Sequence, residues 1–487
     1  MRKGYSTQLR FDSLPIDLVP LNSECRDRLI PILRALQKVY SKPEVIAAIL
    51  KLIEGDVNAD TRKDCGRTGM DYWHIMVLIS VRLGCNLTYD QLQDLAENHY
   101  RLRAVMGIGE WDDETNFSWR TIRNNICRLQ PSTIDAISQI IIAEGHEIKP
   151  DAIESVRADS FVMETNIHYP TESSLIRDGV RKIIELCVQQ AEVHQLSGWR
   201  QHQYLWKAVK QLARKIDRIA AKKGPDYATR LQAPYRELLQ KAQQIVERAR
   251  QLCVDIGAPP ATPDDVFGPE TLQAFIARTE RVMSTTRRRV QLGETVPNSD
   301  KLFSIFEPHT QLYKRGKAGE PMQFGRQILI FEDAAGFIVH ATLMKRDDCD
   351  SEVAVAETQV VQGRFNNRIK RLSFDRGFHS PENQDQLSEV IPSLCLPKPG
   401  VKQSAKQLAI ATDDFIEAQQ NHPGVESAIG ALQSGNGMKR CRDSSEIGFE
   451  RYKSLAVLGR NLQTLGRLLM AKESPDSEAA LSRRKAG

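Results

Sequence analysis

The sequence predicts an α/β chain, α+β overall: a mixed β-sheet core with a helical N-terminal domain and a basic helical insertion. Three observations lead there. Short strand-forming runs fall at 151–170, 327–343, 369–374 and 391–396, with helical periodicity between and around them. At 487 residues the chain exceeds one ordinary core, so two to four domains are expected. Three acids far apart in sequence, Asp159, Asp375 and Glu426, each sit in a segment suited to presenting a carboxylate.

Residues 1–150 read as helical. MDYWHIMVLISVRLG at 70–84 has a broad apolar face and suits a buried helix. Thr88 is the next expected N-cap, with Gln91 three residues on as in a capping box. A glycine turn follows at 106–109, and a further helix is expected to start near Asp113 and to run through 116–126 with Arg120 and Arg123 exposed. Two helices about a short turn would suit a DNA groove. A plain bundle or a dimerisation domain is the alternative reading.

Val156, Phe161, Val162 and Ile167 form a strand that Pro170 ends. From 173 to about 290 the pattern is helical again, broken at Ser197-Gly198, Gly224-Pro225 and Gly257, which suggests four helices in antiparallel hairpins, a long heptad coil being the alternative. A strand is expected at 302–306. Two apolar runs joined by Asp333-Ala-Ala-Gly then read as a hairpin. A helix at 351–365, a strand ending at Asp375 and a helix capped by Ser380 with Pro381 at its first position follow. A strand at 391–396 precedes a helical stretch from 424 to 472, and 473–487 reads as a disordered tail.

The composition excludes several classes. No uninterrupted apolar run approaches the ~18 residues of a membrane span, and the N-terminus lacks the apolar core of a signal peptide. The nine cysteines are scattered, with no Cys-x-x-Cys pair and no zinc spacing. A cytoplasmic protein with reduced thiols, associated with the bacterial nucleoid, is expected. The net charge is +5, yet 173–290 alone holds 21 Lys and Arg against 12 Asp and Glu, or +9. A basic block in a near-neutral chain suits a polyanion.

With the insertion set aside, the element order is strand, hairpin strands, helix, strand, helix, strand, helix. That is the order of a ribonuclease H-like core: residues 151–172 and 299–472 would form it, around the insertion at 173–298. Its first strand is central, and the strand carrying Asp375 lies beside it in parallel, about 4.8 Å away. The last helix crosses them. Asp159, Asp375 and Glu426 fall at those three places. Each has a bland reading alone, Asp375 as a turn residue and Glu426 as a helix-dipole partner. Asp159, amid strand formers, is harder to dismiss.

The segments ADSFVMETNIHYPTESS, IFEPHTQLYKRGKAGEPMQFG, FDRGFHSPEN and HPGVESAIGALQSGNGMKRCRDSSEIGFERYKSLAVLGRNLQTLG carry a resemblance. Over about 70–470 the chain resembles DDE-type insertion-sequence transposases, closest to the ISNCY-like group. The resemblance implies Asp159, Asp375 and Glu426 as a catalytic triad that binds metal, and N-terminal helices that bind transposon ends or help dimerise. Related elements often carry Tyr, Arg and Lys where this chain has Gln419, His422 and Gln433. Glu417 and Glu450 therefore stand as alternatives for the third acid. In several relatives the helical insertion follows the fifth strand, whereas here it follows the first.

The expected chemistry is hydrolysis at a transposon end, then attack of the freed 3′-OH on target DNA. Two Mg²⁺ ions per site, or Mn²⁺ in their place, would sit about 3.5–4 Å apart, with Asp159 shared between them. No Ser, Tyr or Cys nucleophile constellation stands out. Expected partners are double-stranded DNA, as terminal inverted repeats and target, and a second copy of the chain. Candidate DNA contacts are Arg120, Arg123, Lys222, Lys223, Arg287, Arg288, Lys314, Arg315, Lys317, Lys439 and Arg440, with Arg214 and Lys215 nearby. Trp199 is either a core residue or a platform for an unpaired base. The alternatives are a nuclease of the same fold that cuts without joining, and a domesticated DNA-binding protein without catalysis.

Overall fold

A computed structural model describes residues 12–59, 69–222, 224, 226–257, 269–314, 321–346, 348–398 and 418–473. The expected tail beyond Glu473, Lys223, Arg315, Lys317 and Glu417 lie outside the described residues. The chain divides into two compact units, residues 1–164 with 326–487, and residues 165–325.

The first unit opens with seven helices: α1 (Leu29–Tyr40), α2 (Pro43–Val57), α3 (Tyr72–Gly84), α4 (Tyr89–Asn98), α5 (Tyr100–Val105), α6 (Trp119–Ile126) and α7 (Pro131–Ile148). The capping box of Thr88 and Gln91 opens α4 as the sequence implies. The expected second helix of a helix-turn-helix starts later than its sequence suggests. Ser118 caps α6, and Asp112 instead closes a turn onto Thr115 N at 2.9 Å. His99 Nδ1 accepts Leu102 N–H and starts the extra helix α5. Helices α4 and α6 still pack together, but α5 and the 106–118 segment replace the short turn.

Strand β1 (Ser155–Thr165) lies inside a mixed sheet with β3 (Met322–Asp333) on one side and β5 (Arg371–Phe374) on the other. β4 (Ile338–Leu343) extends from β3, β6 (Ser393–Cys395) pairs beyond β5, and β7 (Arg440–Cys441) pairs with β1. β5 is parallel to β1 and to β6. The β3–β4 hairpin turns at Asp333, whose Oδ1 accepts the N–H groups of Ala335 and Phe337 at 2.9 Å. Gly336 takes a positive φ of 87° there, which suits a residue without Cβ. α12 (Asp350–Arg364) and α13 (Pro381–Val390) follow, α13 being capped by Ser380 Oγ from Asn383 N–H.

The helical stretch after 424 is two helices, α14 (Gly424–Gly435) and α15 (Glu446–Glu473), parted by Gly437 with φ of 78° and by β7. α15 is the axle of the unit. It packs on α1, α3, α7 and β4, so helices α1–α7 share one core with the sheet and do not stand as a separate domain. Glycines make the crossings: a Cβ on Gly459 would lie 2.5 Å from Gly84 N, and one on Gly466 would collide with Pro31 O. Its buried polar groups hold neighbouring backbone: Asn461 bonds both N–H and C=O of Ile338, and Gln463 donates to Gly84 O.

In the second unit four helices share a core: α8 (Glu172–Val193), α9 (His202–Ala221), α10 (Tyr227–Ile256) and α11 (Pro269–Thr286). Residues 302–306 do not form the expected strand; Leu302 and Ile305 are buried in the helical core, Phe303 packs on Phe324, and β2 (Gln311–Lys314) is the strand that pairs with 322–325. Trp199 is 6% exposed, packed in this core with Arg248 over its ring, so it is no stacking platform. Among the described residues no helix is long and apolar enough to cross a membrane, and the eight cysteines are free thiols.

Candidate active site

The register between β1 and β5 places the first two acids. Ser155 pairs with Arg371, Arg157 with Ser373, and Ala158 with Phe374. Asp159 is the next residue on β1, and Asp375 is the first residue past the end of β5, where it caps a short 3-10 turn; neighbouring strand backbones run about 4.8 Å apart. Each carboxylate is oriented by its own chain: Asp159 Oδ1 accepts Ser160 N–H and Asp375 Oδ1 accepts Arg376 N–H, both at 2.7 Å. Asp159 is half-buried and Asp375 is exposed.

Side chains alternate along a strand, so Arg157 shares a face with Asp159, and Ser373 with Asp375. The chain entering α14 lies on that face. His422 Nδ1 bonds Ser373 Oγ at 3.1 Å, and Arg157 Nη1 donates to Asn421 O at 3.1 Å. Glu426 follows His422 by four residues, one turn further along, and is exposed. Burial holds the His422 imidazole below its ordinary value; the charges of Asp375 and Glu426 pull it up and Arg157 pushes it down. The same imidazole thus feels the second and third acids together. Glu450 lies in the first turns of α15, exposed, and nothing ties it to β1 or β5.

The lowered His422 value has a consequence for acid stability. The unfolded state takes up the proton first, at about pH 6.5. His422 therefore contributes fully above that pH, and its contribution is lost as pH falls through the lower folded value. Urea midpoints should fall more steeply from pH 7 to about pH 5 for the native chain than for His422→Gln. Equal slopes would contradict this placement.

The carboxylates offer hard oxygen donors, two of them facing solvent, and this donor set suits Mg²⁺ or Mn²⁺. Among the described residues no three His, Cys, Asp or Glu side chains already stand as a closed ligand group.

Two supports escaped the sequence. Gln327, 8% exposed on β3, donates to Ser160 Oγ at 2.8 Å and to Asp350 Oδ1 at 2.7 Å, on the face opposite Asp159. A Cβ on Gly377 would stand 3.4 Å from Asp350 Oδ2, so this pair packs under the turn that carries Asp375.

The candidate DNA contacts separate into held and open charges. Arg288 bonds Glu294 and Asp300, and Arg440 bonds Glu164, each at 2.7–2.9 Å. Arg120 lies over the Trp119 ring and Lys439, though exposed, has a partner of its own, while Arg123, Lys222, Arg287 and Lys314 are exposed. On α9, Lys207, Arg214 and Arg218 are exposed and lead to Lys222 on one side of the helix. Among the described residues no carboxylate pairs with these four, and Lys215 reaches only Glu237 at 3.5 Å.

Comparison with protein-family models, curated proteins and solved structures returns no match.

Proposed function

We propose that this chain is a DNA transposase that cleaves at transposon ends and joins the 3′-OH to target DNA, through a divalent-metal site at Asp159, Asp375 and Glu426. The observation that carries the reading is the β1–β5 register, which makes Asp159 and Asp375 neighbours, with α14 tethered to the same face at Arg157 and Ser373. A sheet ordered β3-β1-β5-β6, with a carboxylate-bearing helix over its central parallel pair, suits a ribonuclease H-like core.

Bound divalent ions would make an attacking oxygen more acidic and offset charge on the leaving oxygen. The chain's own part is positioning. The Ser160 and Arg376 N–H groups orient two carboxylates, and the start of α14 sets the third. The exposure of Asp375 and Glu426 leaves the site open to a phosphodiester.

DNA would be held by open charges, foremost the α9 row. Replacing Lys207, Arg214, Arg218 and Lys222 with Gln should flatten the log–log salt dependence of duplex binding by roughly 0.9 for each phosphate no longer neutralised. Fluorescence anisotropy across a salt series reads it, and an unchanged slope would remove α9 from the DNA surface.

The function itself is tested with a labelled end from the DNA flanking the gene, a supercoiled plasmid, and Mg²⁺ or EDTA. Joined products that need the metal support transposition. Nicks without joining favour a nuclease, and end binding without either favours a non-catalytic DNA-binding protein.

A further inference from the structure

Arg157 and Glu332 form an ion pair that the proposed chemistry does not itself require. Arg157 Nε donates to Glu332 Oε2 at 2.7 Å, and Glu332, on β3, is 2% exposed. Only the Glu332 end is buried, the Arg157 side chain being 27% exposed, so losing Arg157 alone would leave a buried carboxylate without its counter-charge. Burial pushes the Glu332 carboxyl up while Arg157 pulls it down.

The geometry gives the pair a use. The guanidinium is a rigid fork. One arm is fixed to the sheet through Glu332, and the other, Nη1, holds Asn421 O at the entrance to α14. A Cβ on Gly424 would collide with Nη1, so the guanidinium occupies the space where a side chain would project from the first residue of the helix. Glu426 lies two residues beyond Gly424, and Asp159 lies two residues beyond Arg157 on the same strand face. Sheet, guanidinium and helix start are thus linked in series immediately behind two of the three acids.

We infer that Arg157, braced by Glu332, is a positioning residue that clamps residues 421–424 and sets where α14 presents Glu426 to Asp159 and Asp375. The inference rests on the reading of these three acids as one metal site.

Three variants test it. Arg157→Lys keeps the charge and loses the fork. Arg157→Gln with Glu332→Gln removes both charges, leaving no lone buried carboxylate. Gly424→Ala displaces the guanidinium and keeps it. Two readouts apply: the Mg²⁺ concentration giving half-maximal joining at saturating DNA, and backbone cleavage directed by Fe²⁺ with ascorbate and peroxide.

All three variants should need about tenfold to 100-fold more Mg²⁺, the usual effect of losing a group that orients a ligand. Their Fe²⁺ cleavage should fade near 421–427 while persisting near 159 and 375, with DNA affinity and thermal midpoint close to the native values. A pair that merely balances charge would be rescued by Arg157→Lys. Native Mg²⁺ dependence and native cleavage near 421–427 in Arg157→Lys and Gly424→Ala would overturn the clamp and leave the metal site standing. A native chain that shows no Fe²⁺ cleavage near 159 or 375 would overturn both. Should the double variant fail to fold, Arg157→Lys and Gly424→Ala decide.

Discussion

Asp159→Asn and Asp375→Asn each lower strand joining by on the order of 10³-fold, the scale of losing one preorganised group that stabilises charge in the transition state. Both substitutions keep shape and keep Oδ1 as acceptor for Ser160 or Arg376 N–H. Each also removes one of several like charges on adjacent elements, so the folded state gains or is unaffected. The joint outcome is activity lost with an unchanged or slightly raised thermal midpoint. Glu426→Gln should behave in the same way. Glu450→Gln, on an exposed turn of α15 with no tie to β1 or β5, should join DNA as the native chain does. Joining rates and thermal unfolding of the four proteins check this; full activity in Asp159→Asn would sink the assignment.

Asp443→Ala is expected to cost about 3–5 kcal/mol of stability. Arg82 is 1% exposed, stacks on the Tyr89 ring at 3.9 Å, and donates to both carboxylate oxygens of Asp443. Removing Asp443 leaves a buried guanidinium without its counter-charge. Arg82→Met with Asp443→Ala should recover most of the loss, because the desolvation cost goes with the charge. Urea unfolding of the single and double variants measures it. A single variant as stable as the native chain would contradict the buried pairing. The effect bears on the candidate site through the fold. Asp443 and Asn436, which donates to Leu83 O at 3.1 Å, fasten the chain after α14 onto α3.

What could be read beforehand was local. Thr88 with Gln91, Ser380 with Pro381, and Asp333 to Gly336 are structures in which a few adjacent residues satisfy their own backbone, and they form where they were expected. Asp159 was conspicuous as an acid amid strand formers, whereas Asp375 alone read as a turn residue and stood out only through the expected strand order, which the β1–β5 register matches. Long-range packing was not legible. α15 mixes Arg451, Lys453, Asn461 and Gln463 with apolar residues and so looks half-exposed, yet these groups spend their polarity on carbonyls of other elements and let the helix be buried. Residues 302–306 are rich in strand formers, but Leu302 and Ile305 are buried in the helical core and the segment pairs with no strand. Arg157, His422 and Gln327 could not be assigned to the site because their partners, Asn421, Ser373 and Asp350, come from strand register and helix placement.

The central claim is that Asp159, Asp375 and Glu426 face one metal-binding centre. Fe²⁺-directed cleavage of the native polypeptide addresses it without relying on activity. Fragments should end near 159, near 375 and near 426, all three competed away by excess Mg²⁺ and all three weakened together by Asp159→Asn. Cleavage at one of these segments alone, or at sites elsewhere that Mg²⁺ does not suppress, would contradict a shared centre.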